Sequence, residues 1–322
     1  MIEIYGTLGP ACAKAEVLEL MLRAGMTGLR LNLSHGSLRQ AGSQLAALRF
    51  AEERCGLHAK LLIDMQGPEL RIDELQHPLP LLEGKTVLLG KGGVPLPDAV
   101  WQVLEEGQEI LLDDGKLSIR YDGRSRAKVL RGGLLQRRKS VALPGINIRL
   151  PALTESDREN LSLAAELGVA GVMQPFVRCR ADLEAVRQCL DENGGEAVRL
   201  FAKIENLEGV EHLEELMDAA DEIVIARGDL GNSVPLWELP RLQKRIAAAC
   251  RAAGKPFMVV TQMLASMERN PVPTRAEVSD IYNAVLDGAA SVMVTGETAV
   301  GQYPAEVIDY LCRTVRTAEA DL

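Results

Sequence analysis

Residues 199–231 read RLFAKIENLEGVEHLEELMDAADEIVIARGDLG. A short apolar run, 200–204, ends around Lys203 and Glu205, and a polar segment of helical spacing follows at 211–219. A second apolar run, 223–226, then delivers Arg227, Gly228 and Asp229. Strand, helix and strand of these lengths make a βαβ unit, whose parallel strands finish on the same edge of the sheet. Lys203, Glu205 and Asp229 are therefore expected to converge, although 24 positions separate the two carboxylates. Two carboxylates and an ammonium at neighbouring strand ends suit a hard divalent cation beside an anionic substrate. Mg²⁺ takes one or two carboxylates and fills its other positions with water and substrate oxygens. Gly228 lets backbone N–H groups come close to a ligand that a side chain would obstruct. The ordinary alternative is a surface pair at Lys203 and Glu205 and a helix cap at Asp229.

The same alternation extends in both directions. Apolar runs at 2–8, 29–33, 61–64, 172–175, 200–204, 223–226, 257–261 and 292–295 are interleaved with segments of helical spacing. Those segments are 15–24, 38–54, 156–167, 182–192, 211–219, 241–253, 275–286 and 305–318. Gly25, Gly56, Gly168, Gly194, Gly254 and Gly288 follow helical segments, where a left-handed cap is wanted. Thr274 and Glu277 have capping-box spacing. Eight strand–helix repeats predict an α/β protein built as a (β/α)₈ TIM barrel, with its chemistry at the carboxyl ends of the strands. A doubly wound open sheet competes, but the G-x-G-x-x-G turn expected after its first strand is absent.

The alternation breaks once. Between 72 and 143 the chain turns to short β-like pieces at 86–89, 109–112, 117–121 and 127–130. Asp114-Gly115 and Asp122-Gly123 are turn signals between them. We read residues 1–71 and 144–322 as the barrel and 72–143 as a small β domain inserted after the third strand. An insertion at a carboxyl-side loop hangs over the barrel mouth, which makes it a lid candidate.

At 322 residues, with 47% hydrophobic and 25% charged positions, the chain has the make-up of a soluble globular protein. A net charge of −9 and only 3% aromatic residues speak against nucleic-acid or anionic-membrane binding. An anionic substrate would have to meet a local positive field. The six cysteines form no C-x-x-C pair, which fits reduced thiols rather than a disulfide framework or zinc site. Neither a signal peptide nor a membrane span is evident, so a cytoplasmic protein is expected.

The other strand ends carry chemistry too. Arg30, Asn32 and Ser34 alternate onto one face of the second strand. Arginine suits phosphate oxygens, and the Asn and Ser oxygens suit a weakly hydrated cation. His35, next along, reads more simply as a packing or capping histidine than as a catalyst. The third strand ends in Asp64, which could join a cation site, with Arg71 farther on as a phosphate contact. The seventh offers the hydroxyl of Thr261 and the eighth Thr295-Gly296-Glu297, where Gly296 again permits close approach. Met263 and Met267 read as core filling.

Taken in order, RLNLSHG, DMQGPELR, ILLDDG, LPALTESD, AKIENLEGV, ARGDLG, TQMLASM, PTRAEVSD, NAVLDG and GETAVGQYP resemble pyruvate kinase from the first strand to about residue 318. The resemblance implies a barrel with an inserted β-rich domain, and phosphoryl transfer from phosphoenolpyruvate to ADP, giving pyruvate and ATP. It implies Mg²⁺ (or Mn²⁺) on Glu205 and Asp229, and K⁺ on Asn32, Ser34, Asp64 and the Met65 backbone. Glu69 resembles the residue carried by potassium-dependent members. Lys203 would stabilise the migrating phosphoryl group and the enolate oxygen, and Arg30 would contact phosphoryl oxygens. Gly228, Asp229 and Thr261 would seat the substrate carboxylate, with Thr261 also on the proton route to the enolate carbon. Arg71, Asn32 and His35 would face the nucleotide.

Departures from the family pattern are Met65-Gln66 for the usual Thr-Lys, Asn232-Ser233-Val234 where an acidic residue is usual, and Glu3-Ile4-Tyr5 at the first strand. The inserted domain is short, and no counterpart of the family's C-terminal regulatory domain is expected. A homo-oligomer through the barrel is compatible with this reading. A Mg²⁺-dependent lyase or aldolase handling a pyruvate enolate without nucleotide, or a non-catalytic ligand-binding relative, remain alternatives.

Overall fold

The computed structural model describes residues 1–322 apart from Glu69, Asp114, Asn147 and Arg149, and of His35 only the backbone. Eight parallel strands close into a barrel: β1 Glu3–Thr7, β2 Gly28–Asn32, β3 Lys60–Asp64, β4 Val169–Gln174, β5 Arg199–Ile204, β6 Glu222–Ala226, β7 Phe257–Val260 and β8 Ser291–Met293. Each pairs with the next in sequence, and β8 returns to β1. The (β/α)₈ architecture expected from the alternation is the one observed.

Alternation along each strand divides the apolar residues into two cores. Tyr5, Leu62, Met173, Phe201, Val224, Met258 and Met293 point inward and fill the barrel. Their neighbours Ile4, Ile63, Val172, Leu200, Ile223, Val259 and Val292 point outward and pack under the helices. A strand covered on both sides reads as an unbroken apolar run, which is why these segments were conspicuous in the sequence. Each side chain fully buried in this way contributes about 1.5–3 kcal/mol.

The inward rows also fix where polar residues must go. On β5 the inward positions are Arg199, Phe201 and Lys203, so the Phe201 layer seals the lumen and Lys203 stands above it at the carboxyl end. Gly28 on β2 makes room for the Tyr5 ring. A Cβ there would lie 2.1 Å from Tyr5 Cε1 and 3.0 Å from the Lys60 carbonyl oxygen. Because the ring is fully buried it has no way to yield. Gly28→Ala is therefore expected to cost about 3 kcal/mol of stability, read from urea unfolding, as overpacking of a filled core.

Helix details depart from the sequence reading. The segment expected at 211–219 is two helices, Leu207–Glu211 and Leu213–Ala219. Asn206 caps the first by accepting from the Gly209 N–H, and His212 (φ −95°, ψ 17°) interrupts the chain between them. The short helix Arg227–Asn232 begins directly after β6, and Gly296–Ala299 begins after β8 and two intervening residues, Val294 and Thr295. The Thr274–Glu277 capping box is present as expected.

The chain divides into two compact units, Met1–Gly67 with Ala152–Leu322, and Pro68–Pro151. The second contains a five-stranded antiparallel sheet, ordered Val141–Ala142, Glu109–Leu112, Leu117–Tyr121, Arg126–Arg131, Thr86–Leu88. Leu79–Leu81 pairs separately with Gly133–Leu135. Ile110, Leu112, Ile119 and Val129 build its own core with Val94 and Val100. The sequence reading found Thr86–Leu88, Glu109–Leu112, Leu117–Tyr121 and Arg126–Arg131 and missed Val141–Ala142, Leu79–Leu81 and Gly133–Leu135, which are too short or too rich in Pro and Gly to show period two. Gly123 has the positive φ (80°) of the expected turn, while the Asp114 turn falls partly outside the described residues. Among the described residues no helix is long and apolar enough to cross a membrane.

Candidate active site

Register brings together what lay far apart in sequence. Arg30 on β2 lies opposite Leu62 on β3, and Asn32 opposite Asp64, so Arg30 and Asp64 reach each other across adjacent strand ends. Arg30 Nε and Nη2 both donate to Asp64 Oδ2, at 2.8 and 2.6 Å. Lys203 Nζ donates to both Asp64 oxygens, at 3.2 and 3.1 Å, and stands 3.0 Å from Glu205 Oε1. Glu205 Oε2 in turn accepts the Phe176 N–H at 2.8 Å. Arg30, Asp64, Lys203 and Glu205 thus form one chain of charge at the carboxyl rim of the barrel.

All four side chains are largely withdrawn from water, Arg30 and Lys203 each 13% exposed and the two acids nearly inaccessible. Burial works to raise the Asp64 carboxyl, but Lys203 and Arg30 outweigh it and hold the group below its ordinary range. Burial likewise works to deprotonate Lys203, and the Asp64 and Glu205 carboxylates reverse that, keeping the ammonium charged. Glu205 goes the other way. Burial pushes it up to about 7 against the pull of Lys203, and the charges of Asp229 and Asp64 push in the same direction.

That raised carboxyl is a physical test of whether a cation belongs here. Glu205 and Asp229 repel each other near a buried surface, and one further positive charge between them would relieve both. Among the described residues no three acidic, His or Cys side chains gather as a closed metal cage. Two hard oxygen donors fit an octahedral ion that keeps the rest of its shell for water and substrate, as Mg²⁺ does. The fit to a potassium ion is poorer. Asn32 Oδ1 already accepts the Ser34 N–H at 3.1 Å, and both Asp64 oxygens face protein cations.

Across the rim, Thr261 follows β7 with φ 81° and Gln262 with φ 55°. A β-branched residue in left-handed backbone costs about 1–3 kcal/mol. Gly228 lies against the Thr261 side chain, since a Cβ at 228 would stand 3.1 Å from Thr261 Cγ2. Next door, buried Glu297 accepts the Leu264 N–H at 3.1 Å and the Thr295 N–H at 2.6 Å, tying the ends of β7 and β8 together. Gly296 yields its space to Glu268, whose Oε1 would lie 2.2 Å from a Cβ there. Met263 and Met267 are buried core, as read.

Of the remaining sequence-derived residues, Arg71 belongs to the inserted unit, where its Nη1 donates to the Arg138 carbonyl at 2.8 Å. The His35 side chain and Glu69 lie outside the described residues. Phe176 and Glu297 had no assigned part. No sequence pattern announces a backbone N–H that happens to meet a carboxylate 29 positions away, as at Phe176.

Comparison with known proteins bears on this site. A family model described as pyruvate kinase, barrel domain, matches residues 1–308. The pyruvate kinase of Geobacillus stearothermophilus is 38% identical over 99% of this chain and 57% of its own length. That of Sporosarcina psychrophila is 36% identical over 99% and 57%, and that of Aeropyrum pernix 39% identical over 97% and 69%. The chain thus spans a little over half the length of the first two relatives. With a match that runs through all eight barrel strands, the chain belongs to the pyruvate kinase family.

Proposed function

We propose that this chain transfers the phosphoryl group of phosphoenolpyruvate to ADP, giving pyruvate and ATP. The observation that carries the reading is Lys203 Nζ, held between Asp64 and Glu205 with Arg30 on the far side of Asp64. In this step the bond from phosphorus to the enol oxygen breaks and one to an ADP β-phosphate oxygen forms. Such a transfer asks the protein for position and for neutralisation of charge on the equatorial oxygens. Arg30 and Lys203 supply that charge inside a molecule of net −9. Lys203 also faces the enolate oxygen as it gains charge. Glu205 and Asp229 would hold Mg²⁺ or Mn²⁺, which when bound adds Lewis-acid stabilisation of the same oxygens. The Gly228 and Asp229 N–H groups and the Thr261 hydroxyl seat the substrate carboxylate. The enolate carbon then takes a proton that comes from water, with the Thr261 hydroxyl as the relay and Thr295 as a second hydroxyl on that route. The potassium site implied at Asn32, Ser34, Asp64 and Met65 takes no part in this step, since Asn32 Oδ1 and both Asp64 oxygens already have protein partners.

A coupled assay of pyruvate release from phosphoenolpyruvate and ADP tests it. Turnover is expected with Mg²⁺, lost on adding EDTA and restored by excess Mg²⁺ or Mn²⁺. Because Asp64 is already balanced by two protein cations, exchanging K⁺ for Na⁺ is expected to matter much less than removing the divalent ion. No turnover above a Lys203→Ala control would overturn the assignment.

A further inference from the structure

Arg227 opens the helix that carries Gly228 and Asp229, yet its side chain turns back toward β7. Its Nε and Nη2 donate to the Thr261 carbonyl oxygen at 3.2 and 2.7 Å. Its Nη1 donates to Asp280 Oδ2 at 2.6 Å and reaches Gln243 Oε1 at 3.5 Å, while Nη2 lies 2.9 Å from Met263 Sδ. The Arg227 side chain is 12% exposed. Its anchors sit on two helices, Leu239–Ala252 and Arg275–Leu286, so the fork is fixed from outside the rim.

The acceptor it grips belongs to the first of two consecutive left-handed non-glycine residues. A backbone of that kind persists only where its surroundings over-determine it. Two donors from one rigid plane onto a single carbonyl oxygen set the direction of that peptide, which a lone ammonium cannot do. One residue therefore governs both halves of the proposed carboxylate seat: its main chain leads into Gly228, and its side chain holds Thr261 against it.

We propose that Arg227 is a positioning residue that acts through Thr261, aiming its hydroxyl at the bound substrate, with Asp280 orienting the guanidinium. This rests on the phosphotransfer reading. A merely structural arginine would, when replaced, lower the unfolding midpoint and leave the kinetic constants of the folded enzyme alone.

Arg227→Lys keeps a charge beside Asp280 and removes the planar fork. Relative to active wild type, KM for phosphoenolpyruvate is expected to rise about tenfold and kcat to fall about tenfold, with KM for ADP unchanged. Thr261→Ala in the Arg227→Lys background should then add little further loss, because the hydroxyl is already misplaced. Asp280→Asn, a gentler change, should raise KM for phosphoenolpyruvate about threefold, and serves if Arg227→Lys does not fold. Unchanged kinetics in whichever variant folds, or fully additive losses with Thr261→Ala, would overturn the proposal while phosphotransfer stands. An inactive wild type would remove the phosphotransfer reading, and this proposal with it.

Discussion

Lys203→Met is expected to lower kcat for the proposed phosphoryl transfer about a thousandfold and to leave KM for ADP within about twofold. The size follows from what the ammonium does. It is the cation that Asp64 and Glu205 jointly hold at the barrel rim, and both acids keep it charged despite its burial. A charge fixed in a water-poor site stabilises developing charge without reorganising, and methionine retains the stem while removing only that charge. The loss should not be mistaken for unfolding. Asp64 keeps Arg30, and Glu205, already raised to about 7, takes up a proton once the ammonium that opposed its burial is gone. Steady-state kinetics beside urea unfolding of the same preparation checks both halves. A variant retaining a tenth of wild-type kcat would show that Lys203 is not the principal cation of the reaction.

Lys203 and Glu205 were legible in sequence because period two along β5 and the apolar run around them place any charged residue at the rim. Asp229 was legible because the apolar run of β6 ends shortly before it, at Ala226, although it sits on the short helix that follows. The pairing of Arg30 with Asp64 was not. Each was read separately, one for phosphate and one for a cation site, because their contact depends on the stagger between β2 and β3, which neither strand encodes alone. Thr261 was recognised by its hydroxyl, but nothing in TQM signals a left-handed turn, since β-branched residues are the ones least suited to it. Arg227 was noted as a neighbour of Gly228 without a part to play. Its part depends on Asp280, 53 positions later, and on a carbonyl oxygen rather than a residue type. What periodicity conveys is which residues reach the rim, whereas how they pair there is decided by tertiary contacts.

Asp64→Asn is expected to cost about 3–5 kcal/mol of folding free energy at pH 7.5, more than any other single substitution at the rim. Asp64 is shared by two buried cations, and an amide offers a single acceptor oxygen and no charge in its place. Arg30 and Lys203 would then face each other with only Glu205 to compensate. The pH dependence separates this cause from simple loss of packing. Burial tends to raise the Asp64 carboxyl, yet its two partners hold it below the unfolded value of 3.8. Its contribution is therefore complete above pH 3.8 and disappears as pH falls through the lower folded value. Urea unfolding of wild type and Asp64→Asn should show a gap that closes in strong acid, below pH 3.8, whereas a gap caused by lost packing would persist there. Removing one stranded cation as well, in Arg30→Met with Asp64→Asn, should recover at least about 1 kcal/mol of the loss. A gap below about 1 kcal/mol at pH 7.5, or a double variant whose losses simply add, would mean that the charge chain at the rim does not hold the strand ends together.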